Sequence, residues 1–276
     1  MEKKKGIKVN GKHINNLRFA DDIILIANSL EELTVMAREL KDESEKAGLK
    51  INLSKTKIMS KGRNEERGLR TEEGISLDGP KIEIVSEYKY LGRIVSFEDR
   101  MNKEISARIT NAWRAYWRLK PIMNSKMHTR LKVKVLESNV LPVLSYGAQT
   151  WAATKTQINK IKSTFYAMLR KILKIKLKDK ISKDEILERT LARDAGYTCK
   201  KLKMKYAGHM ARGDRDRWNV LATVWLPLGN KRSRGRPPTR WRDEICRRVG
   251  PRWLGIAQNR KSWKVVTEAY AQDWAG

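Results

Sequence analysis

The stretch Leu17-Arg18-Phe19-Ala20-Asp21-Asp22-Ile23-Ile24-Leu25-Ile26 decides how the rest of the sequence is read. An alternating half-strand (Ile14, Leu17, Phe19) runs into two adjacent carboxylates, and a continuous apolar run from Ile23 to Ala27 follows. That pattern predicts a β-hairpin with Asp21 and Asp22 at its tip. Carboxylates on a rigid hairpin suit a hard divalent cation such as Mg²⁺, which takes oxygen ligands from one or two protein carboxylates, water and substrate phosphates. Two such ions can stabilise both the attacking and the leaving oxygen of a phosphoryl transfer. Asp-Asp is also ordinary turn chemistry, because Asp tolerates unusual backbone angles and bonds its own backbone. Residues 19–22 by themselves favour the turn role, and the sequence on either side shifts the balance toward the metal.

Upstream, Ile7, Val9, Gly11 and Ile14 predict a strand, a turn and the first arm of the hairpin. Downstream, Ser29-Leu30-Glu31-Glu32 has the spacing of a capping box. Leu30, Leu33, Met36, Ala37, Leu40 and Ala47 then form a helical stripe that Gly48 ends. Leu49, Ile51 and Leu53 alternate as a strand, with Lys55 in the turn beyond it. Residues 60–80 are polar, charged and glycine-containing, a loop or β-excursion. Ile82, Ile84 and Val85 begin another strand, and Tyr88 to Val95 a hairpin in which Gly92 permits close backbone approach. The expected class is α+β, with one helix covering one face of a sheet.

Phe19-Ala20-Asp21-Asp22 resembles the metal-binding palm motif of reverse transcriptases, in the form typical of non-LTR (LINE-type) retrotransposons. Gly48-Leu49-Lys50-Ile51-Asn52-Leu53-Ser54-Lys55-Thr56-Lys57 is similar to the next palm motif, and Tyr88-Lys89-Tyr90-Leu91-Gly92 to the primer grip. Three motifs in order are far more specific than any one. The resemblance implies that Asp21 and Asp22 ligate Mg²⁺ or Mn²⁺, that Lys55 lies near the polyphosphate of the incoming nucleotide, and that Tyr90, Leu91 and Gly92 face the primer strand. It further implies a partial palm, then a helical thumb and C-terminal region, acting on a template–primer duplex of RNA or DNA. In this family a further carboxylate and the nucleotide-binding fingers lie upstream, and the sequence begins shortly before the hairpin. The expectation is therefore a fragment of an RNA-directed DNA polymerase, incomplete for catalysis alone and open to a partner that supplies the missing parts. A non-enzymatic RNA- or DNA-binding protein with a vestigial Asp-Asp hairpin is the alternative.

Charge divides the 276 residues unevenly. Residues 1–98 carry 19 Lys+Arg against 17 Asp+Glu, whereas residues 99–276 carry 41 against 14. A net charge of +29 asks for a polyanionic partner, held through counterion release. No segment reaches the apolar length of a membrane span, and the start has no apolar signal-like run, so an intracellular site, nuclear or cytoplasmic, is expected. Cys199 and Cys246 cannot form a disulfide framework, and with His209 they are too few and too spread for zinc.

From Arg100 onward the pattern is helical. Ile105, Ile109, Ala112, Trp113, Tyr116 and Leu119 form one stripe before Pro121, and Ile158, Ile161, Phe165, Leu169 and Ile172 another. Ser182-Lys183-Asp184-Glu185 repeats the capping-box signal. Three regions follow: a partial palm over 1–98, a thumb-like region over 99–178 and a basic helical region over 179–276. Lys160, Lys162, Arg170, Lys171, Lys174, Lys176 and Lys178 are expected to line a nucleic-acid groove. All nine tryptophans fall in the basic part, most of them as core, with Trp241 in an Arg-rich loop as the stacking candidate. Arg234, Arg236 and Arg240 lie in Lys231-Arg232-Ser233-Arg234-Gly235-Arg236-Pro237-Pro238 and just beyond it. That segment reads first as a linker touching phosphates, second as an AT-hook-like minor-groove contact, and equally carries the character of a nuclear-import signal.

Overall fold

The computed structural model describes residues 5–60, 75–77, 79, 81–225 and 239–272. The chain divides into two compact units, Met1–Glu98 with Val224–Asn230, and Asp99–Thr223 with Lys231–Gly276. The class is α+β, with small strand pairs in the first unit and helices throughout the second.

In the first unit, β1 (Ile7–Val9) pairs antiparallel with β2 (Lys12–Ile14), and β3 (Asn16–Phe19) with β4 (Asp22–Leu25). Helix α1 (Leu30–Lys46) starts where the capping signal puts it, with the Glu32 N–H donating to the Ser29 hydroxyl at 3.2 Å. The Glu32 carboxylate does not return the bond to the Ser29 N–H that a capping box would have. It accepts from the backbone N–H of Asn28 at 2.9 Å and of Gly6 at 2.5 Å, tying the approach to β1 to the head of α1. These hydrogen bonds hold the Glu32 carboxyl below its ordinary range.

The strand expected at Leu49, Ile51 and Leu53 does not form. The chain there is irregular and turns at Asn52, whose carbonyl accepts from the Thr56 N–H at 3.0 Å. Two short segments pair instead, β5 (Lys57–Ile58) and β6 (Glu83–Ile84), in parallel. Among the described residues the alternation of Leu49 to Leu53 has no neighbouring strand, and a strand without its ladder leaves backbone groups unpaired. The final pair is β7 (Glu87–Tyr90) with β8 (Arg93–Ser96). Ala37 on α1 packs with Ile58, Ile75, Leu77 and Ile82 to form the core of this unit. Most of the 60–80 loop lies outside the described residues.

The second unit contains α2 (Arg100–Arg118), α3 (Lys120–Asn124), α4 (Thr129–Asn139), α5 (Leu141–Leu144), α6 (Lys155–Leu173), α7 (Lys183–Thr190), α8 (Ala195–Ala211), α9 (Trp218–Val224), α10 (Trp241–Val249), α11 (Trp253–Ile256) and α12 (Arg260–Gln272). Pro121 and Pro142 sit in the first turns of α3 and α5, where a missing N–H does no harm. Thr154 and Gln157 cap α6 reciprocally, and Ser182 caps α7.

Two apolar cores fill this unit. The first runs from Ile105 to Cys199 and so crosses residues 178 and 179, where the sequence pattern puts a boundary. The second joins Met204, Ala207 and Met210 of α8 to Ile245, Trp253, Trp263 and Tyr270. Helix α8 therefore belongs to both. Its start is fixed by Asp194, which accepts from the Tyr197 N–H and the Tyr166 hydroxyl, each at 2.9 Å, and lies 3.8 Å from Lys162. Near its end, Gly208 lies under Trp263, and a Cβ there would come within 2.3 Å of the indole ring.

Charge is also buried along α8. Lys203 pairs with Glu244 of α10 at 2.6 Å and Lys200 with the same carboxylate at 3.4 Å, while the Tyr270 hydroxyl of α12 donates to it. Burial pulls the Lys200 ammonium down to about 8, against the attraction of Glu244, and lowers Lys203 as well. Burial acts to raise Glu244, but the Lys203 charge and hydrogen bond, helped by Tyr270 and Lys200, outweigh it and hold the carboxyl below its ordinary value.

Helix α8 can be probed at two positions. Gly208→Ala should lower stability by about 1–3 kcal/mol through overpacking against Trp263, read from the urea midpoint. The other position responds to pH. Between about 8 and the ordinary 10.5, folded Lys200 binds fewer protons than the unfolded chain, so its contribution makes stability rise with pH. Burial pushes the Cys199 thiol up from 9.0 to about 12, which opposes this rise above pH 9, and the raised Tyr270 hydroxyl opposes it above pH 10. The gain should therefore be clearest between pH 8 and 9, and Lys200→Met should flatten it in urea titrations at each pH.

Candidate functional site

The β3–β4 hairpin brings Phe19 opposite Asp22 and leaves Ala20 and Asp21 as a two-residue connection. Asp21 is thus in the turn itself, and Asp22 is the first residue of the second arm. Ala20 has a φ of +51°. A non-glycine residue held in the left-handed region costs about 1–3 kcal/mol, and such strain concentrates where a site must hold a fixed shape. Both carboxylates are exposed. Beside them, Phe19 is 62% exposed, and Leu17 and Ile23 are each 38% exposed, so the hairpin shows apolar side chains that a two-stranded sheet does not cover.

The other two sequence motifs gather near this hairpin. The connection between β7 and β8 is Leu91-Gly92, with φ of +47° and +76°, the pattern of a type I′ turn. Tyr90, immediately before it, has its phenol raised by burial first and by the charge of Asp22 second, which places the two hairpins' heads within electrostatic reach. The Tyr88 hydroxyl donates to the backbone carbonyl of Lys55 at 3.1 Å and so pins the turn that carries this lysine. Lys55 itself is exposed. The Asp22 charge thus reaches Tyr90, and a hydrogen bond ties Tyr88 to the Lys55 turn, 33 positions away in sequence.

On the second unit, Lys160, Lys171 and Lys174 are exposed along and just past α6, and Arg170 is half-buried. Lys160 and Lys171 are eleven residues apart, about three helical turns, so they share a face. Lys162 does not belong with them: it is buried against Asp194. The stacking aromatic expected at Trp241 is not there to stack, because Trp241 is not in a loop. It is the first residue of α10, donates its indole N–H to the Gln149 carbonyl at 2.7 Å and packs edge-on against Tyr206 and Trp253. Arg240 is half-buried just before it, with its N–H donated to Asp243. Arg234 and Arg236 lie outside the described residues.

Trp117 of α2 is the aromatic that the sequence pattern hid. It is 48% exposed, stacks on Trp113 at 5.9 Å between centroids and has the Lys171 ammonium 5.1 Å over its ring. The expectation that most of the nine tryptophans are core passed over it, and its exposure beside Lys171 is set by the packing of α2 and α6. Cys199 is buried and His209 exposed, and among the described residues no three His, Cys, Asp or Glu side chains gather as a metal site.

Residues 3–95, which hold this neighbourhood, match the family described as reverse transcriptase (RNA-dependent DNA polymerase). The chain is 33% identical over 277 residues to a transposon-derived protein of Caenorhabditis elegans, spanning 94% of this chain and 97% of that one. It is 28% identical over 161 residues to the RNA-directed DNA polymerase from mobile element jockey of Drosophila funebris. The chain belongs to the non-LTR retrotransposon reverse transcriptases.

Its match to the jockey polymerase covers 56% of this chain but only 17% of that enzyme. Reverse transcriptases use divalent metal, and the two exposed, adjacent carboxylates of this reverse-transcriptase relative are a donor set that fits a hard cation as part of its shell. They are two carboxylates, fewer donors than a closed metal site needs.

Asp22→Asn should bring the Tyr90 phenol down toward its ordinary 10.0 without reaching it, because burial, the larger cause, is untouched. A phenolate absorbance or NMR titration of Tyr90 checks this, and an unmoved midpoint would separate the two hairpins.

Proposed function

We propose that this chain supplies the metal-binding and primer-facing part of an RNA-directed DNA polymerase. The observation that supports this most is the hydrogen bond of Tyr88 to the Lys55 turn, with the Asp22 charge felt at Tyr90, since these are the parts that metal, primer and nucleotide would meet. Asp21 and Asp22 hold Mg²⁺ or Mn²⁺. A bound ion of this kind assists attack by a primer 3′-hydroxyl on the nucleotide α-phosphate. Lys55, an exposed ammonium on a pinned turn, neutralises the departing polyphosphate. Tyr90, Leu91 and Gly92 form the tight turn against the primer backbone. In the second unit, the exposed cations of α6, with Trp117 beside Lys171 as an aromatic contact, bind nucleic acid.

Two carboxylates leave the ion's shell incomplete; a further carboxylate would come on a strand added to an edge of the hairpin, with the uncovered Leu17 and Phe19 on the Asp22 face offering it apolar contact. That strand comes from a partner or from a longer form of the polypeptide. A second reading is favoured by the same shortage of ligands: a basic protein that binds nucleic acid without polymerising, its Asp-Asp hairpin vestigial.

Mn²⁺ binding separates the two. Under the polymerase reading, Asp21→Asn weakens Mn²⁺ affinity about tenfold or more, as followed by electron paramagnetic resonance, and the chain alone extends a primer poorly. Under the second reading Asp21→Asn leaves Mn²⁺ affinity unchanged and alters only turn stability.

A further inference from the structure

The face that α8 and α12 share toward solvent plays no part in the polymerase reading. Along α8, Lys201, Lys205, His209 and Arg212 recur at steps of four and three residues, and along α12 Arg260 and Lys264 are four apart. Each step of four advances about 6 Å along a helix, so both helices carry a row of cations on one side. A groove of about 540 Å³ lies between the rows.

Its floor is closed. Trp263 donates its indole N–H to the Met204 carbonyl at 2.8 Å, lies against Gly208 and is buried. Some of the charge is already engaged: Lys201 pairs with Glu268 at 2.6 Å, and Arg212 Nη1 donates to the Ala257 carbonyl at 2.7 Å. Lys205, His209, Arg260 and Lys264 stand exposed around the opening. Glu268 is the carboxylate in the lining, and its charge is spent on Lys201. The groove therefore presents a positive field to solvent from two opposed walls.

We propose that this groove binds the sugar–phosphate backbone of a nucleic-acid duplex, as a second contact separate from α6. Cations in two rows can straddle a phosphate strand and contact successive phosphates, which positions a duplex without reading its sequence. The aromatic in the lining is buried, so the groove offers no ring on which an unpaired base could stack. That favours paired over single-stranded nucleic acid. The tight seat of Trp263 on Gly208 is what holds α12 close enough to α8 for the two rows to face one another.

The test uses the full chain and a triple variant, Lys205→Ala, Arg260→Ala and Lys264→Ala, at exposed positions, with retained helicity checked by circular dichroism. Anisotropy titrations with a labelled mixed-sequence DNA duplex and a single strand of equal length are run across salt concentrations. A companion variant replaces Lys160, Lys171 and Lys174 of the α6 face by Ala. The slope of log K against log salt on the duplex should become shallower by about 2–3 in the groove variant, nearly one for each phosphate that is no longer neutralised, with a smaller change on the single strand. An unchanged slope in the groove variant overturns the proposal, and if the α6 variant still lowers it, the nucleic-acid reading of α6 stands without the groove. A loss of affinity as large on the single strand as on the duplex also overturns it, as does groove-dependent binding of polyglutamate with no groove-dependent binding of duplex.

Discussion

Helix α8 is the constraint on which the second unit depends, because its buried faces close two cores at once. Cys199 completes the first and Met204, Ala207 and Met210 the second. A helix in that position must be fixed at both ends and along its length. Asp194 fixes the start through Tyr166 and the Tyr197 N–H, and the Gly208–Trp263 contact fixes the end. Between them, Lys200 and Lys203 converge on Glu244, so three helices meet on one carboxylate. Buried ion pairs recover their desolvation only when geometry and additional hydrogen bonds are good. Here the Tyr270 hydroxyl supplies the additional bond, and the aromatic ring of Tyr270 lies 5.0 Å from the Lys200 ammonium.

The first unit solves a different problem with less apolar surface. Its strands are short and paired only in twos, a form that is marginal without a helix to cover it. Helix α1 covers it through Ala37, and Glu32 adds the link from the head of α1 to the approach to β1. The Asp-Asp hairpin is supported at its base, where the Ile26 N–H donates to the Asn15 carbonyl at 2.7 Å, and is open at its tip. Strain at Ala20 and exposure of Phe19 lie at that same tip. Local stability has been placed away from the carboxylates, and the carboxylates are left accessible.

The excess of cations is not uniform decoration. Part of it is interior: Lys162, Lys200 and Lys203 are buried against Asp194 and Glu244. Some of the exposed cations form rows, one along α6 and others along α8 and α12. Acidic residues in the second unit are few, and several of them are engaged with these lysines; with Lys201 paired to Glu268, the rows still carry a net positive charge.

Local order carried much of this architecture. Ser29, Ser182, the helical stripes and the Asp-Asp stretch announce helix starts, helix faces and the hairpin from contacts within a few residues, where sequence spacing and spatial spacing coincide. The same holds for family membership, which three ordered motifs were enough to reveal. What failed were judgements in which a distant neighbour decided the outcome. Leu49 to Leu53 alternate like a strand but meet no ladder; Trp241 sits among arginines but is drawn into the second core by Gln149, Tyr206 and Trp253. Lys162 looks like its neighbours on α6 until Asp194 arrives from 32 residues away to bury it. Trp117 and the groove between α8 and α12 are invisible in sequence for the same reason. Periodicity tells which residues share a face of one element, while exposure, charge pairing and the meeting of two faces are set by which other element packs there, and only the tertiary fold decides that.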